Sequence, residues 1–205
     1  MDLLSQIEAR KKKLKATTTI LTNEAGERYE IYDGVERKLK EKRLPFVVDE
    51  KPDMQIARIT EGLFLSSQDP VTNEESLKNH CIRHVLSLGI KVPVELDGIK
   101  YHFVDFLDLP EFEISTVIPE CLRIIHECKR DNILVHCNAG VSRSATIVIA
   151  YLMATENFKY EEAYERVKSL RTCIRPNDGF VKQLQSILNL KSMLSEKYSN
   201  HIEEL

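Results

Sequence analysis

Cys137 and Arg143 stand five small or uncharged residues apart, inside the run Ile133-Leu-Val-His-Cys-Asn-Ala-Gly-Val-Ser-Arg-Ser-Ala-Thr-Ile147. A thiol and a guanidinium at that spacing can act together on a phosphate if the backbone between them curls around one point. The flanks favour such a curl. An apolar run, Ile133 to Val135, leads in, and a helix-forming run, Ser144 to Thr155, leads out, so strand, tight loop and helix follow in order. The N–H groups of residues 138–143 then converge, and the helix start aims its own free N–H groups at the same place. Together they make an anion cradle of phosphate size. In it Asn138, Ala139, Val141 and Ser142 contribute backbone N–H groups and little bulk. Gly140 permits backbone conformations closed to other residues, which brings its N–H near the anion. Cys137, at the entry, sits in a positive field that favours its thiolate at neutral pH. Arg143 offers a planar fork for two oxygens at once. Such a loop takes a phosphoryl group onto sulfur. The bland alternative, a buried core cysteine, leaves His136, Gly140, Arg143 and Ser144 at fixed offsets unexplained.

His136 is not needed as a base where the thiolate is already formed. Its expected job is a hydrogen bond that fixes the loop and favours the charged sulfur. Ser144 has two readings, a hydroxyl donating to Sγ and a helix N-cap, and both stay open. The loop holds no acid to protonate a leaving oxygen, so one must come from elsewhere. The segment Tyr101-His-Phe-Val-Asp-Phe-Leu-Asp-Leu-Pro110 offers two candidates. Asp105 shares a strand face with Tyr101 and Phe103. Asp108 lies past the strand end, before Pro110, where a loop can cover a substrate.

These groups need a scaffold, and the sequence outlines one. Ile56–Ile59 and Leu63–Leu65 read as strands around a Glu61-Gly62 turn. Thr72 reads as the N-cap of a helix, with Glu75 completing a capping box. His84–Leu88 and Tyr101–Phe106 read as strands. Ser115–Lys129 has helical periodicity. Ile133–Val135 is the central strand, followed by three helices, with Asn177 capping the last. Strands alternating with helices give an α/β layer fold with helices on both sides of a sheet. The reactive loop then lies at the carboxyl end of a strand, where such sheets bind ligands. Ahead of this, residues 2–15 read as a charged helix ending in Arg10, Lys11, Lys12, Lys13 and Lys15. Thr17–Thr22 and Arg28–Tyr32 flank a hairpin turn at Asn23-Glu24-Ala25-Gly26, and residues 36–43 are dense in charge. The organisation is thus an extension over 1–54, a catalytic domain over 55–193, and a polar tail over 194–205.

Composition narrows the function. The chain has 205 residues, 42% of them hydrophobic, enough for one full core, with a net charge of −3. That balance argues against a dedicated nucleic-acid or membrane-surface binder. The chain contains no apolar run of ~18 residues, no secretory signal is read, and Asp2 replaces the Gly a myristoyl group would need. The five cysteines, Cys81, Cys121, Cys128, Cys137 and Cys173, form no C-x-x-C pair, so neither a disulfide framework nor a zinc site is indicated. A reducing compartment is expected. Cys121 and Cys128 lie seven apart on one helix and read as core-facing. His80, His84 and His102 show no metal spacing and read as packing or surface residues.

The run His-Cys-Asn-Ala-Gly-Val-Ser-Arg-Ser-Ala resembles the active-site loop of cysteine-dependent protein phosphatases, and the chain looks most like the small atypical dual-specificity phosphatases, in particular the stress-activated-kinase-pathway-regulating type. The likeness runs from about Ile56 to about Leu190, and more weakly into the N-terminal segment. It implies a protein tyrosine phosphatase-like fold, with a central, mostly parallel twisted sheet flanked by helices. It aligns the family's general acid with Asp108. It implies no cofactor and no metal, a phosphocysteine intermediate, and a shallow pocket for phosphotyrosine and phosphoserine or phosphothreonine in proteins, MAP kinases or their upstream kinases among them. Cytoplasm is the expected location, with the nucleus second. The uncharged positions 138, 139, 141 and 142 weigh against phosphoinositides, and no basic tunnel is seen for an RNA 5′ end. A different class of function is a kinase-pathway scaffold, in which Arg10–Lys15 with Ile20 and Leu21 docks a kinase. Retention of Cys137, Asp108 and Arg143 favours the enzyme.

Overall fold

The computed structural model describes residues 19–22, 27–32, 34–39, 52–187 and 190–195. The chain divides into two compact units, Met1–Lys51 and Pro52–Leu205. In the first, β1 (Thr19–Thr22), β2 (Arg28–Tyr32) and β3 (Val35–Lys38) form an antiparallel sheet in that order. The hairpin strands are where the sequence puts them. For residues 35–38 the sequence suggested no element, only a density of charge, yet they form β3, in which Val35 pairs with Tyr32 and Lys38 with Tyr29. The expected helix over 2–15, the Asn23–Gly26 turn and the tail from 196 lie outside the described residues.

The second unit is built on a five-stranded sheet in the order β4 (Ala57–Thr60), β5 (Leu63–Ser66), β8 (Ile133–His136), β6 (His84–Leu88), β7 (Lys100–Val104). Only β4 runs antiparallel to its neighbour. Side chains alternate between the two faces, as strand geometry requires. Leu63, Leu65, Leu86, Leu88, Ile133 and Val135 enter the large core, whereas Phe64, Val85 and Leu134 enter a smaller cluster on the other side. The helices divide unequally. α1 (Glu74–Asn79) places Leu77 in the smaller cluster. The larger core takes residues from α2 (Ile118–Cys128), α3 (Arg143–Glu156), α4 (Tyr160–Leu170), α5 (Asp178–Ser186) and α6 (Leu190–Ser195).

α3 is the pivot of the unit. Every residue from Ser144 to Leu152 is buried, so the helix is surrounded on all sides, as an apolar-all-round sequence demands. Each fully buried Ile, Val or Leu contributes roughly 1.5–3 kcal/mol, which holds the start of α3 fixed beneath the reactive loop.

Three sequence expectations need correction. Thr72 does not cap α1. Residues Asp69–Thr72, with Pro70 near their start, take a 3₁₀ turn, and Asn73 caps the helix by accepting from Ser76 N at 2.8 Å. Glu75 therefore falls one position short of a capping box. Four helices, not three, follow β8 among the described residues. The strand expected over Tyr101–Phe106 ends at Val104, which leaves residues 105–110 free to form the loop over the site.

Candidate active site

β8 lies between β5 and β6 with all four residues buried. It delivers Cys137 to the carboxyl edge of the sheet, and α3 begins at Arg143. Among the described residues, no carbonyl or side chain accepts from the amides of residues 138–142. Those donors are left for a ligand, as the sequence requires. The loop is held from outside by its carbonyls: Asn138 O accepts from Gln68 N at 3.0 Å and Val141 O from Arg175 N at 2.8 Å. Gly140 has φ +64°. A Cβ there would overlap Ser66 O and approach Arg171 Nη2 to 2.6 Å, so the position must be glycine for space as well as for conformation.

Cys137 is 2% exposed, and its Sγ is 3.2 Å from Ser144 Oγ. Ser144 is the second residue of α3, and Ser142 holds the N-cap position, so the capping reading of Ser144 is wrong. The side chain turns into the cradle because the helix carries it under the sulfur. His136 is buried, and its Nδ1 lies 3.3 Å from Cys137 O. A carbonyl can only accept, so Nδ1 carries the proton, and Nε2 accepts from Ser87 Oγ at 2.7 Å. Burial pushes the His136 pKa down from 6.5 to about 4, so the ring is neutral at pH 7. It fixes the backbone under Cys137 and does not bond the sulfur.

Arg143 is clamped by tertiary contacts. Its Nη1 donates to Leu88 O, at the end of β6, at 3.1 Å and to Phe106 O, in the loop after β7, at 3.3 Å. Its Nε is buried with no hydrogen-bond acceptor. A buried charged donor without a partner is costly unless a ligand supplies the acceptor, and this one sits at the cradle's edge. Gly89 makes the clamp possible. It has φ +66°, and a Cβ there would overlap Phe106 O and lie 2.5 Å from Arg143 Nη1.

Asp108 comes to the site and Asp105 does not. Asp105 is exposed and makes no hydrogen bond or ion pair among the described residues. Asp108 Oδ1 accepts from Ser142 Oγ at 2.7 Å and from Asn177 Nδ2 at 2.7 Å. Its Oδ2 lies 3.9 Å from Arg143 Nε. One oxygen is thus committed to positioning, and the other faces the unpartnered donor.

Several of these parts were not visible in the sequence. Ser142 was read as a backbone contributor, but its hydroxyl donates to the Asp108 carboxyl and accepts from Asn177 N at 3.2 Å. Asn177 caps α5, as expected, through Phe180 N, and the same side chain reaches Asp108. Arg171 is fully buried. It donates to Ala139 O and Gly140 O at 3.0 Å each and pairs with Asp53, bracing the loop from beneath. The only sequence signal for these roles was the helix cap expected at Asn177.

The family model for the dual specificity phosphatase catalytic domain matches residues 63–189. Among curated proteins, the chain is 39% identical over 144 residues to mouse dual specificity protein phosphatase 19, covering 69% of this chain and 66% of that protein. It is 34% identical over 148 residues to human dual specificity protein phosphatase 22, covering 69% and 80%. Among solved structures, that of DUSP15 superposes with a TM-score of 0.64 at 31% identity, over 69% of this chain and 96% of that one.

Proposed function

The chain belongs to the dual-specificity phosphatase family, and from that premise we propose that its residues 55–193 hydrolyse phosphotyrosine and phosphoserine or phosphothreonine in proteins through a phosphocysteine on Cys137. The observation that carries this reading is the convergence of the Cys137 sulfur, free loop amides, the unpartnered Arg143 Nε and the free oxygen of Asp108. The Cys137 thiolate attacks phosphorus, forming the S–P bond as the P–O bond to the leaving group breaks. Arg143 Nε and the amides of residues 138–142 bind the equatorial oxygens, where charge accumulates. Asp108 gives the proton on Oδ2 to the departing oxygen, since Oδ1 is taken by two donors. Water then attacks the phosphocysteine, Asp108 takes its proton, and the S–P bond breaks. The Ser144 hydroxyl donates to the sulfur as it leaves charged. His136 and Arg171 hold the loop's shape throughout.

The substrates we place in MAP kinase pathways, on the resemblance of the loop and chain to phosphatases that regulate stress-activated kinases, with residues 1–54 as a docking extension. Five cysteines, all free, suit a reducing compartment, and cytoplasm with the nucleus second is the location we propose. Hydrolysis of an aryl phosphate and of a phosphorylated kinase peptide, with and without chelator, tests the chemistry. Activity should survive the chelator and vanish in Cys137→Ser. Asp108→Asn should suppress peptide turnover while Asp105→Asn leaves it intact. Full activity in Cys137→Ser, or the reverse order of the two Asp variants, would refute the assignment.

A further inference from the structure

His84, His102 and Cys128 meet far from the phosphate loop. His84 opens β6, at the end of the sheet opposite the one that carries Cys137. His102 lies on the edge strand β7, and Cys128 closes α2. His84 Nδ1 is 3.2 Å from His102 Nε2, and Cys128 Sγ is 3.7 Å from the same nitrogen. All three donor atoms lie within 4.8 Å of one another. Tetrahedral zinc has Zn–N bonds of about 2.0–2.1 Å and Zn–S bonds of about 2.3 Å, so its N···N edge is about 3.3 Å and its N···S edge about 3.6 Å. Two of the three separations are therefore already tetrahedral edges. The imidazoles now share one N–H···N bond in nearly parallel planes at 17°, so binding requires a side-chain rotation that turns both lone pairs toward one point.

Burial acts in opposite directions on the three ligands. It lowers the pKa of both imidazoles, helped by Lys100 on both and by His84 and Arg123 on His102, but it raises that of the Cys128 thiol, whose proton the metal must displace. Glu127 and Asp131 face the cluster and offset those two cations. His84 and Cys128 are buried and His102 is half-buried, which leaves a fourth position open to solvent.

We propose that His84, His102 and Cys128 form a binding site for a soft divalent cation of the zinc type, separate from the catalytic loop. On binding, each imidazole gives a nitrogen lone pair, His84 moves its proton to Nε2, and Cys128 releases one proton to solvent as its S–H becomes a metal–sulfur bond. No electron is transferred. The metal would tie α2 to β7, the strand that runs into the Asp108 loop.

Cobalt(II) added to the full chain carrying Cys137→Ser, in which the catalytic thiol cannot ligate, tests this. One equivalent should produce a near-ultraviolet thiolate-to-cobalt band and the intense visible absorption of a tetrahedral site, with one proton released and with zinc displacing the cobalt. Cys128→Ala should abolish the near-ultraviolet band. His102→Gln, verified as folded by circular dichroism, should weaken binding at least about tenfold. Absence of the band at stoichiometric cobalt, its survival in Cys128→Ala, or unchanged affinity in folded His102→Gln would overturn the site.

Discussion

Ser142 and Asn177 hold the Asp108 carboxyl by one oxygen, so removing either donor should cost catalysis only where an acid is needed. Each bond is 2.7 Å long, and a hydrogen bond to a charged group contributes about 1.5–3 kcal/mol. The Asp108 side chain is 37% exposed, so solvent competes and the lower part of that range applies. A loss of about 1–2 kcal/mol corresponds to roughly a 5- to 30-fold fall in rate. Ser142→Ala removes one donor. Asn177→Ser removes the other while keeping an oxygen that can cap α5 through Phe180 N. The assay compares single-turnover rates on a phosphothreonine peptide, whose alkoxide is a poor leaving group, with those on an activated aryl phosphate that departs without help. The peptide rate should fall by the stated factor and the aryl phosphate rate by much less. In an Asp108→Asn background both substitutions should become nearly neutral, because residues acting through one group are not additive. Equal losses on the two substrates, or full losses in the Asp108→Asn background, would refute the positioning argument.

Gly89→Ala should push the Arg143 guanidinium off Leu88 O and Phe106 O; kcat/KM should fall by on the order of 10²-fold and vanadate inhibition should weaken in parallel. Arg171→Met should leave Ala139 O and Gly140 O unpaired and lower stability by about 2–4 kcal/mol, seen as a drop in Tm of roughly 4–16 °C, with kcat reduced as the loop relaxes. His136 links stability to pH: its pKa is near 4 folded, against 6.5 in its ordinary state. Its contribution is complete above pH 6.5 and is lost as pH falls toward 4, by about 3 kcal/mol in all. Urea unfolding of wild type against His136→Gln between those pH values should show that slope in the first protein and its absence in the second.

How much was legible beforehand follows from sequence separation. Cys137, Gly140, Arg143 and Ser144 act within one loop and helix turn, and strand, loop and helix are encoded by the residues that form them. The periodicity of Ile133–Val135 and Ser144–Thr155 was enough to place them. The cap of α1 was misread by one residue because Thr72 and Asn73 are both good cap formers, and only the turn made by Asp69–Thr72 decides between them. β3 was missed because its stability comes from pairing with β2, whereas its own residues show only a density of charge.

The chain's local order thus determined the loop from Cys137 to Arg143, its convergent amides and the alternation of strands and helices, since these need only neighbours a few bonds away. Tertiary structure decided that Ser142, Asn177 and Arg143 gather around Asp108 and not Asp105, that Arg171 lies beneath residues 139 and 140, and that His84, His102 and Cys128 meet. Those pairings join segments tens of residues apart whose encounter is set by how helices pack on the sheet, and no local pattern of residue types carries that information.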